Sequence, residues 1–307
     1  MSETMRDAYG KKLAELGKAN AKIVVLDADV MGSTKSGYFA AAFPERFFNC
    51  GVAEGNMAGV AAGLAAAGYH PVINAFAIFI ALKCADQIRH DFCYNKLPVV
   101  IAGAYGGLSD SFDGASHESV ADIALLRAFP NMEVIVPADN AQACLALEYA
   151  LSRHNPVYIR LTRNEAADVP QSRGFASREP IPLREGKDVT LAATGLMAAP
   201  ALAAADALKA RGISAEVFSV PFVKPVAGEA LAASVKKTGK LVTVEEHSVV
   251  GGFGSACLEH LAPRGIAFKH LALGLQDCFG DTGGYDELLA AYGLDANGIE
   301  QAVQKFI

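Results

Sequence analysis

Short apolar runs recur along this chain at intervals that leave room for one helix between each pair, and this rhythm limits the possible folds sharply. In the first half the runs are Lys22–Asp29, Arg46–Val52, His70–Phe76, Leu97–Tyr105, Glu133–Val136 and Val157–Leu161. In the second they are Val189–Thr194, Ala215–Val220, Leu241–Glu245 and Ala267–Leu273. Strands covered on both faces are apolar throughout rather than at alternate positions, and parallel strands require long, usually helical crossovers. The expectation is two α/β domains with mainly parallel sheets. Between them Asn164–Asp188 breaks the pattern with Pro, Gly, Ser and mixed charge. This places a pattern-breaking boundary between residues 1–170 and 189–307, with 171–188 as linker.

Composition narrows the function. The 307 residues carry a net charge of −6 with no basic run, so nucleic acid is an unsuitable partner. The longest apolar run, Val72–Leu82, is too short to span a bilayer, and the charged N-terminus lacks the apolar core of a signal peptide. Cys50, Cys84, Cys93, Cys144, Cys257 and Cys278 show no C-x-x-C spacing, so neither a metal site nor a disulfide framework is expected. A reducing, cytoplasmic setting fits these features.

Within this frame Asn49–Gly68 stands out. Glu54 is its only charge, and Gly55, Gly59 and Gly63 follow at four-residue spacing. That spacing puts the three glycines on one face of a helix, where another backbone can approach closely. Each glycine costs about 1 kcal/mol against alanine, so a packed contact is expected there. The small, apolar flanks of Glu54 predict a buried carboxylate. On composition alone it reads first as a helix-start acid complementing the dipole.

The pattern Glu54-GNMA-Gly59-Val60-AA-Gly63-Leu64 resembles the pyrimidine-domain signature of thiamin-diphosphate enzymes. The order of the remaining segments, from Arg6 to the C-terminus, resembles transketolase. The resemblance implies that Glu54 hydrogen-bonds the aminopyrimidine ring of thiamin diphosphate and activates it. It implies that Phe76 and Phe79, in AFAIF, line that ring, although each alone reads as a core residue. Asp29 matches an acid close to the thiazolium, against the alternative of a solvated turn residue. Asp113-Gly114-Ala115-Ser116-His117 resembles the D-G-P-T-H loop whose aspartate and histidine contact donor-sugar hydroxyls, which gives His117 a catalytic role. Arg163 in RLTR, with Arg6 and Ser33, matches phosphate contacts, and planar guanidinium groups suit phosphate oxygens.

Three positions depart from the family around the sugar channel. Tyr105 stands where a phosphate-contacting histidine is usual, Ala115 replaces a proline, and Phe79–Asp86 is one residue longer than in the animal enzymes. The G-D-G…N motif that holds diphosphate and Mg2+ is missing, and Gly280-Asp281-Thr282 does not supply it. The implication is the C-terminal subunit of a split transketolase. It would be inactive alone and complete, as a heterotetramer, only with an N-terminal subunit bearing the Mg2+ ligands. Its reaction would be transfer of a two-carbon ketol unit from a ketose phosphate to an aldose. The alternatives are the β subunit of a 2-oxo-acid dehydrogenase, and a non-catalytic subunit that kept the fold. Glu245-Glu246-His247 followed by Gly251–Gly254 is too irregular for a dinucleotide fingerprint and is expected to be structural.

Overall fold

The computed structural model describes residues 3–169, 175, 178–227 and 229–307. The first half opens with α1 (Met5–Ala19), β1 (Ile23–Asp27), the short α2 (Met31–Thr34) and α3 (Gly37–Ala42), β2 (Phe47–Asn49) and α4 (Glu54–Ala66). Strand β3 (His70–Phe76) runs directly into α5 (Ala77–Lys83), then a one-turn α6 (Ala85–Gln87) and a π-helical segment over Ile88–Tyr94. β4 (Val100–Ala104), α7 (Asp122–Arg127), β5 (Glu133–Ile135), α8 (Asn140–Leu151) and β6 (Val157–Arg160) follow. The second half runs β7 (Ile181–Arg184), β8 (Val189–Ala193), α9 (Ala198–Ala210), β9 (Ala215–Ser219), β10 (Phe222–Lys224), α10 (Ala230–Thr238) and β11 (Lys240–Ser248). It closes with α11 (Phe253–Leu261), β12 (Lys269–Leu275), α12 (Tyr285–Ala291) and α13 (Ala296–Phe306).

These strands form a seven-stranded sheet, β10-β5-β6-β4-β3-β1-β2, and a five-stranded sheet, β12-β11-β8-β9-β7. All pairs are parallel except β10 with β5 and β7 with β9, so the mainly parallel α/β architecture expected from the apolar runs is the one observed. Strands β1, β4 and β8 are buried at every position, as sheets covered on both faces require.

Local signals set several helix starts. Thr4 accepts from the Asp7 backbone N–H ahead of α1, Asp139 from Gln142 ahead of α8, and Asp295 from Gly298 ahead of α13.

Two elements differ from the sequence expectation. Ile181–Arg184, within the stretch assigned to the linker, is the edge strand β7, where Pro182 removes no ladder bond that the sheet needs. Phe222–Lys224 crosses back as β10 to pair with β5 in the first sheet, so the second half completes the first. The two halves also share apolar core, continuous from Met57 and Phe92 to Phe218 and Leu241. Part of the expected linker, residues 171–174, 176 and 177, lies outside the described residues, as does residue 170.

Candidate functional site

Strands β4, β3 and β1 lie side by side and parallel, so the segments that leave their carboxyl ends gather at one edge of the sheet. Such edges are where open parallel sheets place their ligands. Phe76 ends β3, Asp29 follows β1 and Tyr105 follows β4. Asp29 and Tyr105 both hold left-handed backbone, φ 67° and 61°, a conformation that bulky side chains rarely adopt outside constrained sites. The turn after β1 is fixed from below by Asp27, which is fully buried. It accepts from the Val30 N–H at 2.6 Å, the Thr34 hydroxyl at 2.7 Å and the Ser36 hydroxyl at 2.8 Å. Burial pushes the Asp27 carboxyl up, and these three donors oppose that shift.

Glu54 is the first residue of α4 and is 5% exposed, the buried carboxylate that its small flanks predict. Its Oε1 accepts from Lys83 Nζ at 3.0 Å, and its Oε2 makes no hydrogen bond among the described residues. Lys83 also lies over the Phe79 ring, 4.5 Å from the centroid. The Phe76 and Phe79 rings stack at 5.9 Å with 28° between their planes. His117 meets both edge-on, at 6.0 Å and 5.2 Å, and Tyr105 lies 4.5 Å from Phe76. One carboxylate with a free acceptor oxygen beside two stacked phenyl rings suits a flat heterocycle that presents a donor at its edge. Residues of this chain therefore fit the aminopyrimidine end of thiamin diphosphate.

The glycine face of α4 makes no close contact with the described residues of the chain. A Cβ at Gly59 or Gly63 would meet nothing within 4 Å, and Gly55 lies at ordinary distance from the Lys83 carbonyl. Nearby Val52, Val60 and Leu82 are exposed.

The anion residues converge on Tyr105. Arg6 donates through Nη1 to the Ser33 carbonyl at 2.6 Å and to the Tyr105 hydroxyl at 2.7 Å. The Arg6 and Arg163 guanidinium carbons lie 4.8 Å and 5.4 Å from the Tyr105 ring centroid. Arg163 donates through Nη1 to Asp110 Oδ1 at 2.9 Å. Ser33 is thus placed by its carbonyl rather than its hydroxyl.

The loop between β4 and α7 holds His117 in place. Gly107 and Ser119 exchange both backbone hydrogen bonds at its neck, at 3.0 Å and 2.9 Å. Arg160, beneath it, donates to Asp122 Oδ2 at 2.9 Å, to the Ser119 carbonyl at 2.5 Å and to the Glu246 carbonyl at 3.0 Å. From the second half, Glu246 Oε1 accepts from the Leu108 N–H at 2.6 Å. His117 Nδ1 lies 2.9 Å from the Ser116 hydroxyl. Asp113 is exposed on the same loop, and Asp29 bonds Asn49 at 2.7 Å and sits outside the aromatic cluster. His247 is fully buried, accepts from the Ala124 N–H through Nε2 at 3.3 Å, and is pushed down to about 4 by burial.

Sequence reasoning did not single out Lys83, Asp27 or Asp110, and it took Glu246 only as part of a structural segment. Lys83 was within reach, since Phe79 and Lys83 are four apart on one helix. The others act through contacts distant in sequence. A groove of about 700 Å³ lined by Phe112, Asn164 and the first turn of α12 does not include Glu54, Phe76 or Phe79.

Comparison with known proteins agrees with this fold. Residues 2–168 match the transketolase pyrimidine binding domain and residues 181–299 the transketolase C-terminal domain. The chain is 41% identical to the putative transketolase C-terminal section of Methanocaldococcus jannaschii, covering 98% of this chain and 95% of that one. It is 40% identical to the 6-deoxy-6-sulfo-D-fructose transketolase subunit of Clostridium sp. strain MSTE9, covering 98% and 94%. It spans about half (47%) of 1-deoxy-D-xylulose-5-phosphate synthase 1 of Geobacter sulfurreducens, at 38% identity. Among solved structures, a split-gene transketolase described as an inactive β4 tetramer superposes with a TM-score of 0.90 at 46% identity, over 99% of this chain and 98% of that one. The chain belongs to the transketolase family and is built from that family's pyrimidine-binding and C-terminal domains.

Proposed function

We propose that this chain, assembled with a partner subunit, transfers a two-carbon ketol unit from a ketose bearing a terminal anion to an aldose acceptor, using thiamin diphosphate. The carrying observation is the buried Glu54 carboxylate, with its free Oε2, beside the stacked Phe76 and Phe79 and the edge of His117. Glu54 would hydrogen-bond the aminopyrimidine, with Phe76 and Phe79 against its face and Asp29 towards the thiazolium. Bound there, the cofactor supplies the electron sink for carbon–carbon cleavage, while the protein supplies orientation and electrostatics. His117 and Asp113 would position donor hydroxyls, His117 as a donor to the developing oxyanion. Arg163, Arg6, Ser33 and Tyr105 would hold the terminal anion.

Among the described residues no group of three or more His, Cys, Asp or Glu side chains is arranged to hold a metal ion. The Mg2+ and diphosphate are assigned to an N-terminal partner subunit, in a cytoplasmic heterotetramer. The exposed glycine face of α4, next to Glu54, is the surface on which that partner would pack. Residues 1–170 would form the pyrimidine-binding domain and 189–307 the C-terminal domain. Among the described residues no helix is long and apolar enough to cross a membrane.

The Clostridium relative is named for a sulfonated ketose, so the terminal anion is a phosphate or a sulfonate. The test is purification with and without the candidate partner, followed by titration with thiamin diphosphate and Mg2+. Ketol transfer only by the pair is expected. Full turnover by this chain alone, or pyruvate decarboxylation in place of ketol transfer, would overturn the reading.

A further inference from the structure

Asp110 is 1% exposed, yet its partner Arg163 is 43% exposed, so a buried anchor holds a guanidinium that faces the open site. Only Oδ1 is used in that pair, at 2.9 Å, and Oδ2 is buried with no hydrogen-bond donor. Among the described residues the charge of the carboxylate is directed chiefly at Arg163, with His117 the other cationic group acting on it. Burial and the neighbouring Asp113 push the Asp110 carboxyl up, and Arg163 pulls it down. Arg6 is different. Its two acceptors, the Ser33 carbonyl and the Tyr105 hydroxyl, are neutral, so it keeps its full charge. Lys35, another cation of the first half, is engaged by Asp7 at 3.5 Å. Two guanidiniums and one buried carboxylate leave a single net positive charge around Tyr105, and the exposed Asp113 lowers it further.

The two candidate anions share a tetrahedral shape and three terminal oxygens but not a charge. A phosphate monoester carries about −1.5 to −2 at pH 7, its second ionisation falling near 6. A sulfonate carries one negative charge throughout. A second charge on the ligand would lie next to the buried Asp110 and its neighbour Asp113.

We propose that Asp110 is a specificity-determining residue that neutralises Arg163 and sets this site to take a sugar ending in a singly charged sulfonate in preference to a doubly charged phosphate. The assignment rests on the proposed reaction only in placing the donor's terminal anion at Arg6 and Arg163.

The experiment uses the assembled complex and two non-cleavable hexitols, one 6-phosphate and one 6-sulfonate, in calorimetric titrations at pH 7.5 and 5.5. Kinetics with the matching ketoses follow. The sulfonate should bind more tightly at pH 7.5, and the gap should narrow at pH 5.5, where the phosphate loses its second charge. Asp110→Asn should tighten the phosphate by about tenfold, since a freed guanidinium makes a charge-assisted bond, and each tenfold is roughly 1.4 kcal/mol. The sulfonate should move far less, the pH effect should disappear, and kcat should hold while KM changes. A phosphate preference in the unaltered complex, or equal weakening of both ligands in Asp110→Asn, would overturn the assignment. Failure of both hexitols to bind would overturn it as well. If the hexitols follow the expected pattern and no ketose turns over, the ketol-transfer reading fails and the Asp110 assignment stands.

Discussion

Glu54 occupies the first position of α4 with no side-chain cap before it, and its carboxylate is paired with Lys83, which lies over the Phe79 ring. Replacing it with glutamine keeps the shape and the acceptor oxygen but removes the ionisable proton. In the assembled complex, Glu54→Gln should lower kcat by about 10²–10⁴-fold, the usual worth of positioned acid–base groups, with unchanged circular dichroism. Full activity in that variant would favour a subunit that kept the fold without the chemistry. Arg160 is a contrasting case. Its guanidinium is buried with Asp122, whose carboxyl is held below the usual range by Arg160 in opposition to burial. Arg160→Met would leave that carboxylate buried and unpaired, at a cost of about 3–5 kcal/mol readable as a lower urea midpoint. Glu54 was legible because the clues lie within ten residues of it. Asp122 and Arg160 were not, since their pairing spans the fold and neither has a local signature.

The loop between β4 and α7 carries His117 and Asp113, and its shape depends on a few backbone positions. Gly107 has φ 68°, and a Cβ there would collide with the Glu246 carboxylate. Gly107→Ala should therefore strain the neck and displace the bond from Leu108 to Glu246, at about 1–3 kcal/mol. Because the loop tip holds His117 against Phe79, the same variant should raise KM for the donor sugar more than it lowers thiamin diphosphate affinity. Equal loss of both would mean that the loop does not act on the sugar. At this scale the longer elements followed from apolar periodicity, with ends shifted by a few residues. What escaped was short or edge-placed. Strand β10 has three residues and exists only because β5 offers it an edge, and β7 contains a proline that argues against a strand until its edge position is known. The helical stretch after β3 starts at Ala77 and changes winding at Ile88, where neither glycine nor proline marks the break.

Across the whole molecule the two halves meet through buried acids. Glu246 accepts from Leu108 and from the Tyr285 hydroxyl at 3.1 Å, while Glu245 accepts from the Phe253 and Gly254 N–H groups at the start of α11. Glu118 is 2% exposed with neither oxygen paired, packed against Gly280 of the second half. Burial pushes all three carboxyls up to about 7 from the usual 4.5. A carboxyl raised in the folded state binds more protons there than in the unfolded chain. Its contribution is therefore complete below about 4.5 and is lost as pH climbs through about 7. His247, pushed down to about 4 from 6.5, acts in the opposite sense, but only below about 6.5, where the unfolded chain would protonate it. Between about pH 6.5 and 8 the glutamates act without that opposition, and stability should fall by roughly 1–2 kcal/mol. Urea midpoints of the full chain across that window measure it directly. Glu118→Gln keeps the packing against Gly280, removes one of the three titrations and should flatten the slope by about a third. A slope unchanged by that substitution would mean that Glu118 titrates as a solvated carboxyl, and that the contact between the halves does not depend on its proton.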